Sequence, residues 1–281
     1  MGEMDQIKCF VLDMDGTIYL EGELFSFTKD FLTRVEETGR KYYFFTNNSS
    51  KSQQDYIDKL AGLGIRILPL QMMISSHVAI RYLKRHYPQQ AIYVVGTPSL
   101  IEEFQMAGMN LVQEDPDIVL LGFDTTLTYE KVAKACHYVR NGCIYYGVNP
   151  DWNCPMKNGN FIPDCGSMAK MIEASTGRFP EFFGKPSVHT LDYIIEMTGC
   201  APEEIAVVGD RLYTDIAVAD GSAVTSILVL SGESTMEDVG KSEVKPDFIY
   251  RNLSEIPLYN LEQNTKRETL KEKEGNDMIT L

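Results

Sequence analysis

The sequence predicts an α/β protein built on a parallel sheet, and three observations predict it. Short apolar runs such as 7–12 and 205–208 are continuous rather than alternating, as strands buried on both faces require. Segments with helical spacing lie between these runs. Most of those segments stop at a glycine: Gly64, Gly108, Gly142, Gly177 and Gly199 each close one.

Residues 7–12 read as the first strand. Residues 28–38 read as a helix with Phe27, Phe31 and Val35 on one side, 41–45 as the second strand, and 52–63 as a helix ended by Gly64. This βαβ order implies a parallel sheet. The pattern then restarts. Helices are expected over 76–86, 99–107, 129–141 and 167–176, with strands over 91–95, 117–121 and 143–147. A third section holds helix 187–198, strand 205–209, helix 214–219, strand 225–230 and a short strand over 247–249. No internal repeat is visible. Residues 262–281 are dense in charge and read as a solvated helix or a disordered end.

The 281 residues are long for one domain and comfortable for two, and 44% hydrophobic content is enough to bury real cores. The formal net charge of -14 sets the chain against nucleic acid and anionic lipid as partners. It also means that a site for a phosphorylated molecule must bring its own positive charge. No apolar run approaches the ~20 residues of a membrane span. The polar start, residues 1–8, lacks the basic and apolar regions of a signal peptide, so a cytoplasmic protein is expected. The six cysteines form no CxxC pair and read as reduced thiols rather than disulfides or a zinc site. His77, His86, His137 and His189 match no motif and read as surface or packing residues.

Four short segments carry chemistry. Asp13 and Asp15 stand where the first buried strand ends and a Gly16-Thr17 turn begins. Ligands of open α/β sheets bind outside the carboxyl ends of strands. Two acids so close repel each other and want a cation or a shared proton. Alone, the pair reads as readily as a turn or cap. Thr46-Asn47-Asn48 follows the second strand and offers donors suited to a phosphate, though it is also ordinary turn chemistry. Gly184-Lys185-Pro186-Ser187 precedes a helix and could place an ammonium on a phosphate, or simply open the helix. Asp210 and Asp215 follow another buried strand and could reach a hard cation, or cap a helix.

Taken together and in this order, Asp-x-Asp-Gly-Thr, Thr-Asn-Asn, Gly-Lys-Pro and Gly-Asp-(x)4-Asp resemble the haloacid dehalogenase (HAD) superfamily, from about residue 7 to about residue 260. A long stretch with its own strands and helices separates Thr46-Asn47-Asn48 from Lys185. That placement resembles the class IIA branch, the NagD-like and 4-nitrophenyl phosphatases, and Asn149-Pro150-Asp151 matches a loop of that branch's cap. One departure is Pro163-Asp164-Cys165-Gly166-Ser167: the branch carries small residues or glycine where Asp164 and Cys165 stand.

The resemblance implies a Rossmann-like, doubly wound parallel sheet core with an inserted α/β cap. The core would comprise residues 1–78 and 182–262, the cap 79–181, and the charged tail 263–281. It implies an Mg²⁺-dependent phosphatase acting on small phosphorylated metabolites. Asp13 would be the nucleophile and Asp15 the acid and base. Asp13, Asp15 (through its backbone carbonyl), Asp210 and Asp215 would hold the metal. Thr46, Asn47 and Lys185 would hold the phosphate, with help from backbone N–H groups around Met14 to Gly16. Dehalogenases of the superfamily lack the second acid, so Asp15 favours ester hydrolysis. Asn149, Asp151 and Trp152 are the cap residues expected to contact substrate, with Arg178 and Lys157 weaker candidates. Relatives often dimerise through the cap, and a homodimer is the matching expectation. A phosphotransferase or mutase, and a phosphometabolite-binding protein with little turnover, are the alternatives.

Overall fold

The apolar run that follows Lys8 becomes β1 (Cys9–Leu12), buried at every position. The computed structural model describes residues 3–156 and 159–258. A small hairpin follows β1, made of β2 (Tyr19–Leu20) and β3 (Glu23–Leu24), then α1 (Thr28–Glu37) and β4 (Lys41–Thr46). Phe31, Leu32 and Val35 are the apolar side chains that α1 buries; Phe31 and Val35 belong to the expected stripe, while Phe27 is the half-buried residue at the helix N-cap. Helix α2 (Gln53–Gly62) opens on a capping box: Ser52 Oγ accepts the Asp55 N–H while the Asp55 carboxylate accepts the Ser52 N–H. Such a cap contributes roughly 1 kcal/mol. β5 (Met72–Ile74) and α3 (Ser75–His86) come next.

The middle of the chain alternates β6 (Ile92–Val95), α4 (Pro98–Met106), β7 (Ile118–Leu121), α5 (Tyr129–Arg140) and β8 (Ile144–Gly147). A hairpin of β9 (Asn153–Met156) and β10 (Asn160–Pro163) leads to α6 (Cys165–Thr176), β11 (Glu181–Phe182) and α7 (Val188–Thr198). The last section holds β12 (Ile205–Gly209), β13 (Thr225–Val229), α8 (Met236–Lys241) and β14 (Phe248–Tyr250).

One sheet of six strands runs β14-β13-β12-β1-β4-β5, and a separate sheet of four runs β11-β8-β7-β6. β1 lies parallel between β12 and β4, with Leu12 opposite both Val208 and Phe44. The pairs within the four-stranded sheet are also parallel. The chain forms two compact units: one takes it to Phe44 and resumes at Thr198, the other is Phe45–Met197. In the second unit Val119 and Leu121 of β7 pack with Val139 of α5 and Ile172 of α6. Each such side chain, fully buried, contributes roughly 1.5–3 kcal/mol.

The sequence reading differs from the structure in a few places. The helix expected over 214–219 is a π-helical turn, Leu212–Ile216. Ile216 N–H reaches Arg211 O at 3.2 Å and Ala217 N–H reaches Leu212 O at 3.1 Å, both five residues back. The wider turn lets the Asp215 carboxylate accept the Arg211 N–H at 3.1 Å. The sequence reading leaves β2, β3, β5, β9, β10 and β11 unassigned; β2, β3 and β11 have only two residues each, and β9 and β10 carry polar residues and proline in place of a continuous apolar run. The charged tail and Lys157 lie outside the described residues. Among the described residues no helix is long and apolar enough to cross a membrane.

Candidate active site

Parallel pairing brings the carboxyl ends of β1 and β12 side by side, and the Asp13 N–H continues the ladder to Val208 O at 2.8 Å. Asp13 leaves β1 there, and Asp210 leaves β12 one residue later in register. The π-helical turn adds Asp215. One oxygen from each of Asp13, Asp210 and Asp215 lies within 4.8 Å of the others. Three glycines make room for these acids. A Cβ on Gly16 or Gly232 would stand 2.3 or 2.0 Å from Asp210 Oδ2, and one on Gly209 would stand 2.2 Å from Asp215 Cγ. Gly16 also has φ +84°, the left-handed conformation that turns the chain away after Asp15.

The electrostatics of the cluster ask for positive charge. Burial, and then the negative charge of Asp215, push the Asp210 carboxyl up to about 7. The Glu233 N–H donates to Asp210 Oδ2 at 2.6 Å, but Asp210 Oδ1 is buried with no hydrogen-bond partner among the described residues. A buried carboxylate oxygen left unpaired is costly. Three converging carboxylates with one oxygen unsatisfied fit a hard divalent cation with oxygen ligands. Burial opposes the charge of Arg211, but Tyr213, Asp210, Glu233 and Asp13 together raise its pKa. Its Nε lies 2.9 Å from Glu233 Oε2.

Asp15 projects from the turn after β1, half-buried, and accepts the Tyr19 hydroxyl at 3.2 Å. Of the backbone N–H groups expected to face a phosphate, that of Gly16 is donated to Tyr19 O at 2.8 Å.

The other expected site residues belong to the second unit. Thr46 ends β4, buried, with Oγ1 accepting the Asn48 N–H at 3.2 Å. Lys185 is 2% exposed, an unusual burial for a lysine; its Nζ donates to Phe45 O at 3.4 Å and lies 5.2 Å from the Phe45 ring centroid. The Asn47 amide is bonded to the Lys185 backbone on both sides: its Oδ1 accepts Lys185 N–H at 2.8 Å and its Nδ2 donates to Lys185 O at 2.9 Å. The same Nδ2 donates to Asp151 Oδ2 at 2.9 Å. Asn149 is fully buried and donates to Asp151 Oδ2 at 3.0 Å and to Asp164 Oδ1 at 2.9 Å. Trp152 is half-exposed, with its ring 6.4 Å from that of Phe179. Arg178 donates to Val139 O and Cys143 O, at 2.7 and 2.8 Å, and so ties α5 to the chain after α6.

A family model described as haloacid dehalogenase-like hydrolase matches residues 10–110, and a second HAD-like hydrolase model matches residues 182–256. An acid sugar phosphatase of Staphylococcus aureus (strain MRSA252) is 32% identical over 253 residues, 90% of this chain and 97% of that protein. The chain belongs to the haloacid dehalogenase-like hydrolase family. A 4-nitrophenylphosphatase from Thermotoga maritima has the same fold with a TM-score of 0.87 and 42% identity, covering 91% of this chain and 98% of that one. NagD from E. coli K-12 gives 0.83 and 29%, covering 90% and 99%. This HAD-family phosphatase therefore has the Rossmann-like core with an inserted α/β cap that its sequence predicts.

Two groups of this HAD phosphatase escaped the sequence reading. The loop after β13 wraps Asp210: Ser234 N–H donates to its backbone carbonyl at 3.1 Å, and Ser231 Oγ donates to Gly16 O at 2.7 Å. A Ser-Gly pair directly after an apolar strand is the signal that could have found it. Ser49 is the other. It is fully buried, donating to Asn149 Oδ1 at 2.7 Å and accepting the Phe123 N–H at 2.9 Å. A serine pair after Asn47-Asn48 reads as ordinary turn chemistry and offers no comparable signal.

Proposed function

We propose that the chain is an Mg²⁺-dependent phosphatase of small phosphate monoesters that works through an aspartyl-phosphate on Asp13. The observation that carries this reading is the meeting of Asp13, Asp210 and Asp215 beside a buried, unpartnered Asp210 oxygen. Asp13 and Asp215, with Asp210 and the Asp15 backbone carbonyl, would hold the ion. When bound, it supplies positive charge that offsets repulsion between carboxylates and phosphate.

The Asp13 carboxylate attacks phosphorus and the bond to the leaving oxygen breaks, while Asp15 gives that oxygen its proton. Water then attacks the phosphoryl group, Asp15 takes the water's proton, and Asp13 is released with inorganic phosphate. Thr46 and Lys185, in the same loops as Asn47 and Gly184, hold the non-bridging oxygens and supply the local positive charge that a chain of net charge -14 otherwise lacks.

Residues 79–181 serve as the cap, a division supported by a separate four-stranded sheet of β6, β7, β8 and β11, of which only Phe182 lies past the boundary. The names of the relatives make sugar phosphates and aryl phosphates the first substrates to try. A cytoplasmic enzyme that dimerises belongs to the same reading and rests on the sequence alone.

The test is phosphate release from 4-nitrophenyl phosphate with Mg²⁺, by the wild type and by Asp13→Asn. The wild type should turn over, Asp13→Asn should not, and a phosphoryl group should be trapped on the Asp13 peptide of the wild type. Equal rates in the two proteins, or no release above background, would overturn the reading.

A further inference from the structure

The cap residues Asn149 and Asp151 were expected to touch substrate, yet their polar atoms are turned into the protein. Two side-chain amides, Asn47 and Asn149, stand on either side of the Asp151 carboxylate and both donate to its Oδ2, at 2.9 and 3.0 Å. Asn149 donates again to Asp164 Oδ1 at 2.9 Å and accepts from Ser49 Oγ at 2.7 Å. Asn47 donates again to Lys185 O at 2.9 Å and accepts from Lys185 N–H at 2.8 Å. An amide has two N–H groups and one oxygen. Each amide here uses both of its N–H groups and its oxygen, so neither has a donor left for a ligand.

Close backbone approach locks the arrangement. A Cβ on Gly184 would lie 2.8 Å from Asn47 Oδ1 and 3.1 Å from the Asn149 Cα. A Cβ on Gly166 would lie 2.3 Å from Pro150 O. Every member, from Ser49 to Lys185, is buried. A fully satisfied buried polar network fixes one geometry, because any alternative strands a donor or an acceptor.

We propose that Asn47, Asn149 and Asp151 are positioning residues for the phosphate-holding Lys185, with Asn47 gripping its peptide unit and Asp151 and Asn149 holding Asn47 in register. This rests on the reading of Lys185 as a phosphate ligand. It takes the Asn47 amide off the phosphate and takes Asn149 and Asp151 off the leaving group. A small displacement of a positioned charge is expensive: about 1 Å costs on the order of a hundred-fold.

The experiment is calorimetric titration of the Mg²⁺-loaded enzyme with inorganic phosphate, which needs no turnover, followed by steady-state kinetics on an aryl phosphate and a sugar phosphate. Asn47→Ala and Asp151→Ala should weaken phosphate binding by about ten- to a hundred-fold. They should raise KM for both substrates by the same factor and leave the preference between them unchanged. In a Lys185→Ala background, Asn47→Ala should add less than about two-fold, because the two residues act as one unit. Asn47→Asp keeps the side chain's shape but removes its donors and sets a second negative charge against Asp151, so it should bind phosphate at least as weakly as Asn47→Ala. Thermal melts establish that each variant is folded.

Unchanged phosphate affinity in the folded variants would overturn the proposal, as would a loss that falls on one substrate only, which would mean that Asp151 reads the leaving group. A wild type whose phosphate affinity depends on Lys185 and on Asn47 behind it, but which releases no phosphate from any ester, would overturn the phosphatase reading and leave this one standing.

Discussion

The acids at the ends of β1 and β12 and the amide–carboxylate chain around Lys185 bury polar groups on opposite terms. In the first, Asp210 is 3% exposed with one oxygen unpartnered, and Asp13 and Asp215 crowd it with like charge. In the second, Asn47 and Asn149 have every side-chain donor and acceptor in use. Buried groups of the first kind are a liability to the folded state, and acids kept in that condition mark a place shaped for something else. Buried groups of the second kind hold a geometry. Removing a member of the first should therefore cost activity and spare stability. Removing Asn47 or Asp151 from the second should cost both.

Asp13→Asn is the strongest expected break. The rate on an aryl phosphate should fall at least about 10³-fold, since loss of a covalent nucleophile leaves only residual binding and electrostatic help. Its melting temperature in chelator should hold or rise, because one negative charge has left the cluster. Asp210→Asn comes next, with a loss of about 10²-fold or more and a raised Mg²⁺ requirement, as expected when a ligand carboxylate becomes an amide. Titrating activity against Mg²⁺ checks it. A normal Mg²⁺ requirement would remove Asp210 from the site.

Asp210 also gives the pH dependence its sign. Burial, then the Asp215 charge, raise its carboxyl from 3.8 to about 7. The folded metal-free protein thus holds a proton that the unfolded chain releases near pH 4. The stability this proton provides is complete below the unfolded value and is lost as pH rises through about 7. Asp210→Asn stays neutral throughout. In chelator near pH 8 it should melt above the wild type, and the gap should close toward acid pH. Mg²⁺ at a hundred times its dissociation constant should return about 2.7 kcal/mol to the wild type. That gain should shrink below neutral pH, where protons compete for the same oxygens. Equal stabilisation by Mg²⁺ at acid and alkaline pH would count against the site.

The two regions were unequally legible in the sequence. Asp13 and Asp210 could be placed because each follows a buried apolar run, and parallel strands deliver their carboxyl ends to one edge. Five-residue spacing put Asp215 with them, although the π-helical turn that aims it was read as an ordinary helix. The Lys185 network could not be read in the same way. Asn47, Asn149, Asp164 and Lys185 are far apart in sequence, and nothing local says that one amide will pair with a distant peptide unit. Motif position placed Asn47 and Lys185 at a phosphate. It could not tell a side chain that binds from one that holds the binder, since both need the same residue types in the loop that follows a strand.

The smallest expected effect on phosphate affinity lies at Asp164. Asp164 is the N-cap of α6, its Oδ1 accepting the Cys165 N–H at 2.5 Å as well as the Asn149 Nδ2. Replacing an N-cap aspartate by alanine costs about 1 kcal/mol, whereas glycine costs a few tenths. In a chain of this size 1 kcal/mol is about 2–4 °C. Either variant also strands one buried Asn149 N–H, so Asp164→Ala should lower the melting temperature by several degrees and Asp164→Gly by somewhat less. Asn149 keeps its bond to Asp151 in either variant. Phosphate affinity should consequently change by less than about two-fold, far below the effect of Asn47→Ala. A loss in Asp164→Gly as large as that in Asn47→Ala would mean that the grip on Lys185 extends to α6, and would move the edge of the positioning network from Asn149 to the helix cap.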